Sequence, residues 1–180
     1  MRDWNVVVTL RGQASRAVGA LRRLGLGPVA ISRFLDVLVM KAPDPRAVVR
    51  ALDERMAAQP EQHACFSHVV PCDQTFTFAS ADEFEAKAKE EAARYKEALA
   101  GKSFHVRVHR RGFKGRLSTQ EEERRLGEFL HDELDRAGTP GRVSFEDPDA
   151  VVVVETVGTQ AGMTLLAREE LQRSRLLPAD

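Results

Sequence analysis

The sequence predicts an α+β protein built from two small domains, and three observations carry that prediction. Short runs rich in β-branched residues alternate with amphipathic stretches of helical spacing along the whole chain. The first part reads in the order β-α-β-α-β. At Ser80 the composition then shifts to a long charged stretch, Ser80 to Ala100, that opens a second series of elements. A chain of 180 residues has the length for one generous domain or two small ones. The boundary is expected near Ala79, with residues 1–79 forming the first domain and 80–180 the second.

Trp4 to Leu10 is dominated by valines and reads as a strand. From Ser15 to Leu24, apolar Ala17, Val18, Leu21 and Leu24 make a helical stripe that Gly25, Gly27 and Pro28 stop. Val29 to Met40 is a second strand-like run, interrupted by Ser32, Arg33 and Asp36. Asp44 is a natural N-cap with Pro45 at the first helical position, and Val48, Val49, Leu52 and Met56 continue that helix to Pro60. Cys65 to Phe78 is extended again. This order is that of a ferredoxin-like split β-α-β unit.

In the second part, Ser80 with Glu83 three residues on forms a capping box for the helix to Ala100. Phe104 to Arg110 is a strand. Ser118 or Thr119 caps a helix through Leu126, Phe129, Leu130 and Leu134, ending near Gly138 and Pro140. A short strand is expected over Val143–Phe145. Val151 to Thr156 carries valine on both faces, the mark of a central strand, and Met163–Leu166 is a further strand. The order is α-β-α-β-β with a polar tail.

Bulk properties narrow the function classes. Lys plus Arg and Asp plus Glu number 27 each, so no bulk charge draws the chain to nucleic acid, and an anion site must come from local clustering. The longest apolar run, Val151–Val154, is too short to cross a bilayer and no signal-peptide core opens the chain, so the expected compartment is the cytoplasm, with no membrane partner. Cys65 and Cys72 lie about 23 Å apart if the chain between them is extended, against the roughly 6 Å a disulfide needs, and are expected as free thiols.

The local cluster is Lys102 to Arg116, which holds no acid. Alternation turns Phe104, Val106 and Val108 toward a core and sets His105, Arg107 and His109 in a row on the other face. Arg110, Arg111, Lys114 and Arg116 follow in a Gly-containing loop, where Phe113 offers a stacking surface. Arginine's planar fork of donors suits phosphate. The candidate contacts for an anionic ligand, of which phosphate is the commonest, are Lys102, His105, Arg107, His109, Arg110, Arg111, Phe113, Lys114 and Arg116. They become the candidate RNA contacts under the family resemblance given below. The plainer reading is a solvated strand face beside a polar loop.

From Cys65 to the C-terminus the sequence resembles a THUMP domain preceded by its usual N-terminal ferredoxin-like domain. Val69-Val70-Pro71, the strand Phe104 to Gly112 with its paired Arg110-Arg111, and the helix start Ser118 to Glu122 with Gly127 carry the likeness. So does Val143-Ser-Phe145-Glu-Asp-Pro148-Asp149 running into Val154-Glu155. The resemblance implies a tRNA-binding module, not an enzyme, with no cofactor and no DNA partner. It is similar in layout to the stand-alone adaptor of tRNA cytidine N4-acetylation, which implies a separate tRNA-modifying enzyme, such as an acetyltransferase, as partner. His68 before Val69-Val70-Pro71 and Phe145-Glu146 before Pro148-Asp149 depart from the adaptor pattern.

Other signals point to structure. Asp147 and Asp149 flank a turn-forming proline, and Glu155 at a strand end reads as a brace for a loop, so no catalytic residue is expected. His63, Cys65, His68 and Cys72 spread over about 30 Å of extended chain and are not expected to share a metal. Two rivals stay open. One is a protein-interaction adaptor without RNA binding. The other is a small ferredoxin-like enzyme acting on a phosphorylated substrate, with Leu10-Arg11-Gly12-Gln13 as its remote candidate loop.

Overall fold

A computed structural model describes residues 1–178. The chain divides into two compact units, one of Met1–Thr75 with the C-terminal stretch from Glu170, the other of Phe76–Glu169. The stretch after Glu170, read as part of the second domain from sequence, packs with the first.

The first unit runs β1 (Val6–Leu10), α1 (Ala14–Leu24), β2 (Val29–Ile31), β3 (Val37–Met40), α2 (Pro45–Ala58), α3 (Pro60–His63) and β4 (Phe66–Pro71). Its four strands form a sheet in the order β2-β3-β1-β4, with antiparallel pairing throughout. The sequence reading merged β2 and β3 into one strand. They are a hairpin, and its turn is built by Ser32, whose Oγ accepts from Phe34 N at 3.1 Å, and by Asp36 at φ 56°. Polar interruptions in an apolar run are turn chemistry here, and the hairpin completes the ferredoxin-like β-α-β-β-α-β order.

Asp44 caps α2 as its type predicts, accepting from Arg46 N and Ala47 N. Gly27 sits at φ 140°, and a Cβ there would stand 2.0 Å from Lys41 O, so only glycine fits where this loop crosses the backbone of the β3–α2 connection. The C-terminal stretch is fixed to α2 and β4 by an ion pair from Arg46 to Glu170, a hydrogen bond from Ser174 Oγ to Asp53 and another from Val69 N to Leu176 O. Cys65 and Cys72 are buried thiols.

The second unit holds β5 (Gln74–Thr77), α4 (Ala81–Ala92), a 3₁₀ turn Ala93–Tyr95, α5 (Lys96–Leu99), β6 (Ser103–His109), α6 (Thr119–Arg136), β7 (Arg142–Val143), β8 (Ala150–Val157) and β9 (Gln160–Ala167). A short helix, α7 (Arg168–Arg173), follows. The extended run from Cys65 to Phe78 is thus two strands in two sheets, broken where Asp73 pairs with Arg46. The sheet order is β5-β9-β8-β6-β7, which makes β8 central as its valines on both faces predicted. β6 runs parallel to β7 and β8, while β9 is antiparallel to β8.

Phe84, Ala88, Ala92, Tyr95 and Leu99 from the α4–α5 stretch meet Leu126, Leu130 and Leu134 of α6 over Phe104, Val106 and Val108. Both predicted caps are made: Ser80 accepts from Glu83 N, and Ser118 from Glu121 N.

One charge is buried against this core. Glu122 on α6 is 3% exposed, and burial followed by the neighbouring Glu85 charge holds its carboxyl above the usual range. The folded protein therefore holds this proton more tightly than the unfolded chain. The stability it gives is present at acid pH and is lost as pH rises past the ordinary carboxylate range of about 4.3. Glu122→Gln is expected to raise the melting temperature at pH 7, with the gain shrinking toward pH 4. Thermal melts at both pH values check this, and a pH-independent difference would refute it.

Candidate nucleic-acid interface

The loop after β6 is held from beneath by one buried carboxylate. β6 and β8 run parallel with His109 beside Glu155, so both strands deliver polar side chains to the same end of the sheet. Glu155 is 1% exposed, accepts a hydrogen bond from His109 Nδ1 at 2.7 Å with Oε1, and pairs with the Arg111 guanidinium through Oε2. Arg111 N donates to Thr156 Oγ1 at 2.9 Å and Gly158 N to Arg111 O at 2.8 Å, which ties the loop's root to β8. Glu155 is thus a brace, as its place at a strand end suggested.

Beyond Arg111 the backbone takes left-handed conformations at Gly112 (φ 103°), Phe113 (φ 52°) and Gly115 (φ 78°). Glycine adopts these freely; Phe113 does so because its ring is anchored, lying 4.9 Å from that of Phe78 and 4.5 Å beneath the Arg116 guanidinium. Arg110 donates to Gly112 O, folding its side chain along the loop. The result is a pre-shaped turn with Lys114 and Arg116 exposed and Arg110 half-exposed.

The nine candidate residues fall into three groups. Arg110, Lys114 and Arg116 come together as accessible cations. His109 and Arg111 belong to the brace, with the Arg111 guanidinium turned to Glu155. The remaining four depart from the expected arrangement. Phe113 is not a free stacking platform, because its ring is engaged by Phe78 and by the Arg116 guanidinium. His105 is not in an exposed row: it is 2% exposed, stacks on Phe145 at 5.3 Å and bonds Ser144 O through Nδ1. Arg107 faces Glu123 at 3.9 Å. Lys102 is exposed but precedes β6, so seven strand residues, about 23 Å, separate it from the loop. Alternation along β6 was legible, but not the chain segment 144–145 that covers its polar face.

Asp149 serves structure: its Oδ2 accepts from both Ser103 N and Ser103 Oγ at 2.8 Å, bonds that hold its carboxyl below the ordinary range. Among the described residues no three His, Cys, Asp or Glu side chains gather as a metal site, and no helix is long and apolar enough to cross a membrane.

Beside the loop, β6 and α6 enclose a groove of about 590 Å³. Arg107, Glu123, Arg124, Gly127, Glu128 and Phe145 are among its lining residues.

A ferredoxin-like unit followed by a mixed five-stranded unit whose braced loop carries Arg110, Lys114 and Arg116 defines an α+β protein. Residues 78–166 match the THUMP domain family, and the second unit is a THUMP domain. A tRNA sulfurtransferase of Shewanella piezotolerans is 33% identical over 126 residues, which cover 69% of this chain. The chain spans 23% of that relative's length. Among solved structures, TrmN from Thermus thermophilus superposes with a TM-score of 0.58 at 22% identity, over 90% of this chain and 44% of that one. A 4-thiouridine synthetase, solved as an RNA complex with bound ATP, gives a TM-score of 0.53 at 16% identity, over 92% and 42%.

Proposed function

We propose that this chain is a tRNA-binding module that presents tRNA to a modifying enzyme carried on a separate polypeptide. The observation that carries the reading is a THUMP domain, shared with tRNA sulfurtransferases, whose braced loop leaves Arg110, Lys114 and Arg116 accessible. Positioning is the whole of the mechanism. A loop fixed by Glu155 and by the Phe78–Phe113–Arg116 stack meets a phosphate backbone without first ordering itself, which limits the entropic cost of binding. Holding the RNA in register then lowers the entropic part of the partner's barrier. An acetyltransferase acting on tRNA cytidine is the partner class implied by the sequence resemblance.

The test is a titration of the full chain with unmodified tRNA at two salt concentrations, with a duplex RNA lacking a single-stranded 3′ end as control. Salt-sensitive binding that prefers tRNA supports the reading. Absence of binding at low salt overturns RNA recognition by this chain and brings the protein-interaction rival forward.

A further inference from the structure

The groove between β6 and α6 has an open strand edge that RNA recognition by the loop leaves unused. We propose that it binds an extended peptide segment of a protein partner by strand addition to β6, a surface distinct from the cationic loop.

The edge is defined by its hydrogen bonds. β7 pairs only with Ser103 and Phe104, and Phe104 O accepts from Ser144 N at 2.9 Å just beyond it. Four residues on, Val108 N donates to Glu123 Oε1 at 2.9 Å, a carboxylate standing where a neighbouring strand would run. Backbone groups in a strand alternate sides, so the N–H and C=O of Val106 face the same way, between these two points. The side chain of Val106 is in the core at 3% exposure, yet the residue lines the groove; it does so through its backbone. A donor and an acceptor on one residue, aimed into an open groove, match the backbone of an added strand. Glu123 covers the adjacent N–H in the free protein, as charged side chains do on strand edges.

The groove's width and charge select the occupant. Opposite the strand, α6 presents Gly127, and a Cβ there would meet nothing within 4 Å. At one end Phe145 is 70% exposed, an apolar seat for a side chain. The charged lining comprises Glu123, Glu128 and Asp132 against Arg107 and Arg124. Arg107 lies 3.9 Å from Glu123 and Arg124 lies 2.8 Å from Glu128, so both cations are opposed; Asp132 faces the His131 imidazole at 3.9 Å and, with that ring neutral, carries the surplus charge. A phosphodiester chain finds no net positive charge here. A peptide with an apolar residue for Phe145 and a Lys or Arg for Asp132 is complementary.

The experiment selects a displayed library of random nine-residue peptides against the full chain, and titrates the best sequence as a synthetic peptide. Gly127→Leu fills the groove while placing a better helix former within α6, so a loss of binding there does not report unfolding. The expected result is weakening by at least about tenfold in Gly127→Leu and on N-methylation of a central peptide amide, with slowed exchange of the Val106 amide in the complex. Binding of tRNA is expected to be equal in parent and Gly127→Leu. No sequence enriched on the parent over the variant, equal peptide affinity for both, or protection of the Val106 amide by a single-stranded oligonucleotide in place of peptide each overturns the proposal. Failure of tRNA binding with the peptide result intact removes the RNA reading and leaves this one standing.

Discussion

Arg111→Ala is expected to lower the stability of the THUMP domain by about 3–5 kcal/mol, because it strands a buried carboxylate. Glu155 is 1% exposed, and the Arg111 side chain that neutralises it is 17% exposed. Removing the guanidinium leaves Glu155 with His109 across the strand pair, while the main-chain bonds of residue 111 to Thr156 and Gly158 remain. Replacing both members with apolar residues removes the stranded charge, so Arg111→Met/Glu155→Leu is expected to recover most of the loss. Amide exchange of β8 residues, which reports the opening free energy of this unit, measures both variants. An Arg111→Ala protein within about 1 kcal/mol of the parent would show that the brace contributes little.

This expectation changes how RNA-binding variants are chosen. The paired Arg110-Arg111 looks in sequence like two equivalent phosphate contacts. Arg110 folds along the loop surface to Gly112 O, whereas Arg111 turns inward to Glu155. Loss of tRNA binding in Arg111→Ala would therefore report a loosened loop as readily as a lost contact.

Local chemistry was legible and long-range placement was not. The caps at Asp44, Ser80 and Ser118, and the central position of β8, follow from residue type and alternation, which act within a few residues. The hairpin between β2 and β3 was hidden because apolar runs of three and four residues on either side of a turn have the same composition as one interrupted strand. The transfer from β4 to β5 was hidden for a different reason. Asp73 is a single polar residue type that fits either a turn or a strand edge, and the partner that anchors the bend, Arg46, lies far away in sequence. The same limit governs the site. No local signal announces that Phe145 covers His105 or that Glu155 faces Arg111: the first follows from the pairing of β6 with β7, the second from its pairing with β8.

Within the accessible group, neutralising Arg110, Lys114 and Arg116 together as glutamines is expected to reduce tRNA affinity by one to three orders of magnitude at low salt. Each phosphate contact contributes about 0.7 to 0.9 to the slope of log affinity against log salt. About four contacts give the parent a slope near −3, and removing three should leave it near −1. At about 0.05 M salt one unit of slope corresponds to roughly a twentyfold change, which sets the upper end of the expected loss. Arg116 also lies over Phe113, so its substitution loosens the loop slightly, and Arg116→Lys with Arg110 and Lys114 intact separates that effect from charge. Titrations of parent and variants with the same tRNA across a salt series give both affinity and slope. A variant that binds less tightly with an unchanged slope would mean the loop shapes the site without touching phosphate. An unchanged affinity and slope would move the RNA contact elsewhere on the protein, with Lys102 at the far end of β6 the next cation to test.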